Sequence, residues 1–417
     1  MNRLSIGYVV PGHNLLASAG PTRNVLCLAD ALSRWADITV AFRRVLEPID
    51  DREFDVVEIE PGLGHSRPSD DAAVRGTGAL DFAAYLRTLR GFVDERLHRH
   101  DIVLEKSWLL SGYVTARCRR SGIPAAVVEN IVRVWHRPLR TPGDVASYVR
   151  HRITQGLVGR YLRQAPLIIT ETEELRAAIS GRWNIPSARL EVIGLGVNTE
   201  LFRPRDQDAA RRALGIDPRA TVLLYVGVLD RVHDLAPVLE AMGAVEIEAI
   251  ELHVVGNGEL RGEYESRARS ASPGIVFHGR VPHVVVPEYI AAADLCMAPY
   301  DPAAFPDGKI GYSTLKIPEY MACARPVVSV PSGHVLQLVR DGVTGFLFSN
   351  EAEPWMRFLR SCPPRERLAR MGETAAQLLT TSGWDEVARS YLAACQRLVA
   401  VQAPHGGIAD DGTVTRA

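Results

Sequence analysis

The side chains best suited to chemistry stand in one stretch, Gly311 to Val328, which reads Gly-Tyr-Ser-Thr-Leu-Lys-Ile-Pro-Glu-Tyr-Met-Ala-Cys-Ala-Arg-Pro-Val-Val. Ser313, Thr314 and Lys316 supply hydroxyls and a cation where small residues give way to a helical pattern. Free backbone N–H groups at a helix start, with the positive end of its dipole, suit a phosphate. Glu319, about one turn further on, cannot usefully face a phosphate. A carboxylate beside a phosphate site is suited instead to accept hydrogen bonds from paired sugar hydroxyls, as the acidic residue does for ribose in dinucleotide folds. Diphosphate plus ribose suggests a nucleotide. The bland alternative is that Lys316 and Glu319 are an i, i+3 pair on a wet helix face. Leu315, Tyr320 and Met321 are available for the buried side of that helix. Arg325-Pro326 ends it, and Pro-Val-Val-Ser-Val is expected as a buried parallel strand.

The run Ser-Thr-Leu-Lys-Ile-Pro-Glu-Tyr-Met-Ala-x-x-x-Pro-Val-Val resembles the donor-binding segment of the retaining glycosyltransferases of family 4. The fold implied is α/β and of GT-B type: two Rossmann-like doubly wound domains facing across a cleft, with a C-terminal helix crossing back to the first. By this resemblance Glu319 holds the ribose of a sugar nucleotide, and Ser313, Thr314, Leu315 and Lys316 lie at its phosphates. Many family members carry a second glutamate eight positions before the first; here that position is Gly311, with Asp307 the candidate to supply the missing sugar contact. The implied reaction moves a sugar from a nucleotide sugar, UDP- or GDP-linked, to an acceptor hydroxyl with retention at the anomeric carbon. The leaving diphosphate takes the acceptor proton, while the protein neutralises charge and excludes water. No cofactor is expected beyond this co-substrate. No metal requirement is expected either, since the chain is read as showing no Asp-x-Asp metal pair.

Those side chains need a scaffold, and the chain is patterned to give one. Leu4 to Val10, a glycine-bearing loop over residues 12–22, helical spacing from Val25 to Leu32 and the strand Ile38 to Ala41 make a βαβ unit. That loop sits where ligands of such sheets bind, beyond the carboxyl end of the strand, with a plain turn as the alternative. The family's matching glycine-rich loop faces the donor phosphates, and by this resemblance Gly20 is a donor-side candidate. Asp55 to Glu60 is strand-like, Pro61 to Gly78 a surface insertion and Phe82 to His100 an amphipathic helix. Asp101-Ile-Val-Leu-Glu-Lys is a strand ending in charge, an unusual end unless the charges reach a site. The family resemblance places Asn130 where other members have a histidine approaching the donor sugar, and makes it a catalytic candidate. Glu105, Glu129 and Arg133 are the acceptor candidates of this region, and loop capping is the structural alternative for Glu105, Glu129 and Asn130.

Residues 133–163 are rich in arginine and histidine around Trp135 and Tyr148. Such a run reads as a solvated face, as an acceptor site for something anionic, or as contact with acidic lipid head groups. Leu190 to Pro204 resembles the family's inter-domain link, placing an acceptor-binding domain at 1–203, a donor-binding domain at 204–383, a crossing helix at 384–401 and a disordered tail at 402–417. In the second domain a buried strand runs into Gly227 and then Asp230-Arg231-Val232-His233. The family often has Arg and Lys at the positions of Val228 and His233. Arg231, His233 and Lys316 are the cations left for the diphosphate. The backbone near Arg280 and Val281 is implied to pair with the nucleobase.

The chain has 417 residues, with 47% hydrophobic and 23% charged, ample for two cores. Lys plus Arg number 48 against 49 acidic residues, which argues against nucleic acid as a partner. Six dispersed cysteines without metal spacing fit reduced thiols, and the short apolar run at the N-terminus does not read as a signal peptide, so a cytoplasmic protein is expected. The acceptor is expected to be a natural-product, aminocyclitol or lipid-linked molecule, with the sequence leaving the choice among them open, as it leaves peripheral membrane contact. Rival readings are a degenerate GT-B partner protein, supported by Val228, His233 and Gly311, and a nucleotide-sugar epimerase or hydrolase.

Overall fold

Runs of Val, Ile and Leu without polar alternation fold as strands buried on both faces, which is the habit of parallel sheets. The computed structural model describes residues 3–15, 20–47, 49, 52–60, 79–135, 138–245, 250–379 and 383–402. The first sheet comprises β1 (Leu4–Val10), β2 (Ala36–Phe42), β3 (Asp55–Glu58), β4 (Ile102–Lys106), β5 (Ala125–Glu129), β6 (Ile168–Thr170) and β7 (Leu190–Val192). The second comprises β8 (Thr221–Val226), β9 (Ile250–Val255), β10 (Ile275–Gly279), β11 (Leu295–Ala298), β12 (Val327–Ser329) and β13 (Gly345–Leu347). Their orders are β3-β2-β1-β4-β5-β6-β7 and β10-β9-β8-β11-β12-β13, with every paired strand parallel. In each sheet the order reverses beside its first strand, so a crevice opens between β1 and β4 and between β8 and β11. The chemistry-bearing loops of the sequence follow these strands.

The two doubly wound domains and the returning helix expected from the sequence are what the structure contains. Helix Trp384–Gln402 packs on helix Gly20–Ser33 of the first domain and buries Val387, Tyr391, Ala394 and Cys395 in the first core. The core changes between Ile193, packed with the first sheet, and Val197, packed with the second, upstream of Arg203-Pro204. The outward and returning connections touch: Val197 pairs with Gly383, and a Cβ on Gly196 would stand 2.7 Å from Trp384 Cδ2. The strand expected over Asp55 to Glu60 stops at Glu58, and the helix expected from Phe82 runs Ala79–Arg96. The insertion at 61–78 and residues 403–417 of the tail lie outside the described residues. Among the described residues no helix is long and apolar enough to cross a membrane.

One carboxylate ties the strands that flank the second crevice. Asp294, just before β11, accepts from the Val222 backbone N–H of β8 at 2.7 Å and from Arg211 Nη2 at 2.6 Å. Arg365 Nε and Gln207 Nε2 add bonds of 2.9 and 3.1 Å. Arg211 is almost wholly buried, so removing its partner leaves an uncompensated charge. Asp294→Ala is expected to lose about 3–5 kcal/mol of stability in urea unfolding. A loss near zero would show that Arg211 finds other compensation.

Candidate functional site

Gly227 follows β8, and a Cβ there would stand 2.8 Å from both Lys316 Nζ and Tyr225 Oη. Glycine thus clears the space in which the lysine lies. The Lys316 ammonium sits 4.6 Å from the centre of the Tyr225 ring and 5.5 Å from that of Tyr300, with Nζ 3.4 Å from Tyr225 Oη. Such rings attract a cation with their negative faces. Burial lowers the pKa of Lys316 to about 7, against the upward pull of Asp230 and Glu319. Helix Lys316–Ala322 is shorter than its sequence pattern suggested. Its dipole is correspondingly modest, and the positive charge of the site rests on Lys316 itself.

Asp230 organises the loop after β8. Its Oδ1 accepts from the backbone N–H groups of Val232 and His233, both at 3.0 Å, and from His233 Nδ1 at 2.9 Å. His233 Nε2 lies 3.0 Å from Tyr312 Oη, so a neutral ring donates to Asp230 and accepts from Tyr312. Burial, reinforced by the nearby Lys316 charge, lowers the pKa of His233 to about 4. The expectation that His233 serves as a phosphate cation is therefore corrected: it is a neutral brace between two loops. Arg231 is exposed on the same loop, and Val228 is exposed beside Gly227.

The expectation for the Thr314 hydroxyl also needs correction. Thr314 is buried, and its Oγ1 accepts from Tyr300 Oη at 2.6 Å, so it cannot face a phosphate. Ser313 and Leu315 are half-buried, and the Ser313 backbone N–H binds the Glu171 carboxylate of the first domain. Glu319 Oε1 lies 3.6 Å from His283 Nε2, whose ring rests 5.1 Å from that of Phe202. Val281 is half-buried against the second core just before this histidine. Arg23, on helix Gly20–Ser33, is close enough across the domains for the Glu319 charge to raise its pKa against the depression caused by burial. Gly20 begins that helix.

On the first domain, Glu105 is fully buried and not at an acceptor surface. Its carboxylate accepts from Trp108 Nε1 at 2.8 Å, Gly112 N at 2.9 Å and Thr115 N at 2.8 Å, fastening the start of helix Tyr113–Arg120. Glu129 is also buried; desolvation raises its pKa to about 7, opposed by Ser111, Arg133, the Ile131 backbone and Lys106. Glu105 is thus structural in this conformation, and Glu129 is withdrawn from the surface. Arg133 is half-buried near Glu129, and half-buried Asn130 accepts a hydrogen bond from Ser107 Oγ at the end of β5.

Three first-domain residues clasp the second domain. Glu171 reaches Ser313, Thr172 Oγ1 donates to the Gly311 carbonyl, and Glu174 Oε1 accepts from Gln337 Nε2 at 2.8 Å. Glu171 also forms a 3.5 Å ion pair with Lys106, both side chains 3% exposed. Beside this clasp lies a cavity of ≈ 490 Å³ between the domains, lined by Ile131, Glu173, Leu175, Asp307, Gly311 and Tyr312 among others. Asp307 is exposed there and holds a left-handed backbone, φ 54°, which is costly for a residue other than glycine.

Arg23, Asp230, Glu171 and His283 were not singled out by the sequence reading. Lys106 was signalled by a strand that ends in charge. The repeated Thr-Glu pattern from Thr170 to Glu174 carries a similar cue, whereas nothing local marks Arg23 as facing another domain. The Asp-x-Asp spacing at Asp206 and Asp208 opens helix Gln207–Leu214, where Asp206 caps by accepting from Ala209 N at 2.9 Å. Among the described residues no group of three His, Cys, Asp or Glu side chains is placed to hold a metal.

A direct check of this electrostatic arrangement is the titration of Lys316 by carbon-13 NMR of the lysine Cε. The expected midpoint is near 7, with the ammonium present below it. Glu319→Gln and Asp230→Asn should each move the midpoint down, since each removes a charge that favours the ammonium. A midpoint near the ordinary lysine value, about 10.4, would contradict the burial of this group.

Comparison with known proteins matches each domain separately. A family model described as Glycosyltransferase Family 4 matches residues 19–201, and one described as Glycosyl transferases group 1 matches residues 220–360. A D-inositol 3-phosphate glycosyltransferase of Mycobacterium tuberculosis is 31% identical over 247 residues, 56% of this chain and 48% of that protein. The match thus spans about half the length of the curated relatives. Among solved structures, sucrose-phosphate synthase from Thermosynechococcus elongatus superposes with a TM-score of 0.73 at 20% identity, covering 96% of this chain and all of that one. Anabaena HepE in complex with UDP-glucose gives 0.69 at 16% identity, covering 94% of this chain and 100% of that one. At these identities the structures establish a shared GT-B fold.

Proposed function

Because the chain belongs to the family 4 glycosyltransferases, we propose that it moves a sugar from a nucleotide sugar to an acceptor hydroxyl, with retention at the anomeric carbon. The observation that carries the reading is Lys316 and Glu319 on one short helix beside Gly227: a half-buried cation for the diphosphate and a carboxylate for the ribose. UDP or GDP is the proposed carrier. Asp307, on its strained turn beside the cavity, is the proposed sugar contact in place of the glutamate that Gly311 lacks. Asn130 and Arg133 are the proposed contacts from the first domain. Val281 and the backbone beside it take the base edge.

The carboxylates of Glu105, Glu129 and Glu171 are buried and engaged, which disfavours them as nucleophiles. The diphosphate oxygen then serves as base for the acceptor hydroxyl on the face from which it departs. Lys316 stabilises the negative charge that grows on that oxygen, and domain closure excludes water. We assign this charge neutralisation to the protein rather than to a metal ion, so chelation should leave turnover unchanged. A phosphate-bearing or otherwise anionic acceptor suits Arg133, and the inositol phosphate relative supports the same class. The six free thiols fit a cytoplasmic setting.

Glu319→Ala and Lys316→Ala are each expected to cut turnover or donor affinity by at least about tenfold, the scale of a lost charge-assisted hydrogen bond. Mass spectrometry of sugar transfer from UDP- and GDP-sugars to a panel of phosphorylated and neutral polyols measures this. Unchanged kinetics in both variants would remove the site assignment. Sugar release or epimerisation without acceptor would replace the transferase by a hydrolase or an epimerase.

A further inference from the structure

Helix Pro142–Leu162 is built firmly and displayed outward. Thr141 and Asp144 form a capping box at its start, and Gln155, Val158, Gly159 and Leu162 bury its inner side. Contact there is close, since a Cβ on Gly159 would stand 2.3 Å from Trp183 Cδ1. On the outer side Val145, Val149, Ile153 and Leu157 follow at intervals of four and are 47, 49, 62 and 38% exposed. Four-residue spacing on a helix keeps them in one slowly winding stripe. A soluble face would interrupt that stripe with charges of both signs.

The residues beside it are of one sign instead. Arg150, Arg152, Arg160 and Arg163 are exposed, and among the described residues none lies within ion-pair distance of a carboxylate. Asp144, spent in the cap, is the helix's single acidic residue. An aliphatic stripe bordered by arginines and free of acids is the pattern of a helix lying in a membrane interface, its apolar side in the acyl boundary and its cations among anionic head groups. A second copy of the chain fits less well, because a two-fold pairing sets like arginines against each other.

We propose that the outer face of helix Pro142–Leu162 docks this protein on an anionic lipid surface. The assignment stands on burial and charge and does not rest on the transfer reaction.

The test is co-sedimentation of the full chain with phosphatidylcholine vesicles, with and without phosphatidylglycerol. Partitioning onto the anionic vesicles is expected to exceed that onto pure phosphatidylcholine by at least about tenfold and to weaken as salt rises. Val149→Glu with Ile153→Glu, and separately Arg150→Gln with Arg160→Gln, should abolish the preference. Their thermal midpoints should stay unchanged, since all four side chains point to solvent. Equal partitioning onto both vesicles, or a preference that survives both double variants, overturns the proposal. A concentration-dependent dimer in sedimentation velocity, lost in the glutamate variant, would also overturn it and assign the face to a second copy.

Discussion

A half-buried ammonium is the constraint around which the second domain is arranged. Taking Lys316 out of water disfavours its charge, and the surrounding residues return only part of that cost. Tyr225 and Tyr300 offer ring faces, Asp230 and Glu319 offer negative charge at longer range, and Gly227 leaves the volume unfilled. The ammonium is thus held ready but incompletely compensated. Under the proposed function, an anion arriving between β8 and β11 would complete the compensation, as preorganised electrostatic stabilisation requires. His233 makes the contrast clear, because its two ring nitrogens are already occupied and its charge is suppressed.

The first domain contributes through contacts that reach over to the loop before the helix that carries Lys316. The Lys106–Glu171 pair is buried, and such pairs stabilise little on balance once desolvation is counted. Its position at the ends of β4 and β6 gives it another consequence: the Glu171 carboxylate is fixed where it reaches the backbone of Ser313, three residues before Lys316 opens its helix. Thr172 and Glu174 extend the same clasp to Gly311 and Gln337. Since the two chain crossings run side by side at Val197 and Gly383, relative movement of the domains has a natural pivot there.

Much of the fold was legible because apolar strand runs and glycine turns are local signals. The βαβ order and both sheets follow from them. The returning helix and the roles of Lys316 and Glu319 came instead from the family resemblance, since their spacing alone also fits an i, i+3 pair on a wet helix face. What stayed hidden was decided by distant partners. Glu105 and Thr314 carry suitable groups, yet the first is consumed by Trp108, Gly112 and Thr115 and the second by Tyr300. Arg23 and Glu319 are remote in sequence and come within electrostatic range of each other only through the packing of the two domains. The exact crossing point was similarly masked, since glycines at 194 and 196 give no hydrophobic pattern to assign to either core.

The most direct measurement of the central claim is the pH dependence of nucleoside diphosphate binding, by calorimetry with UDP and GDP on the native chain and on Lys316→Met. The ammonium is the form that binds, and in the free protein it is lost as pH rises through about 7. Affinity of the native chain should therefore fall by about tenfold or more between roughly pH 7 and 9, while the variant binds weakly with a flat profile. Affinity that is constant or rising over that range in the native chain, or an equal fall in the variant, would contradict the role given to Lys316.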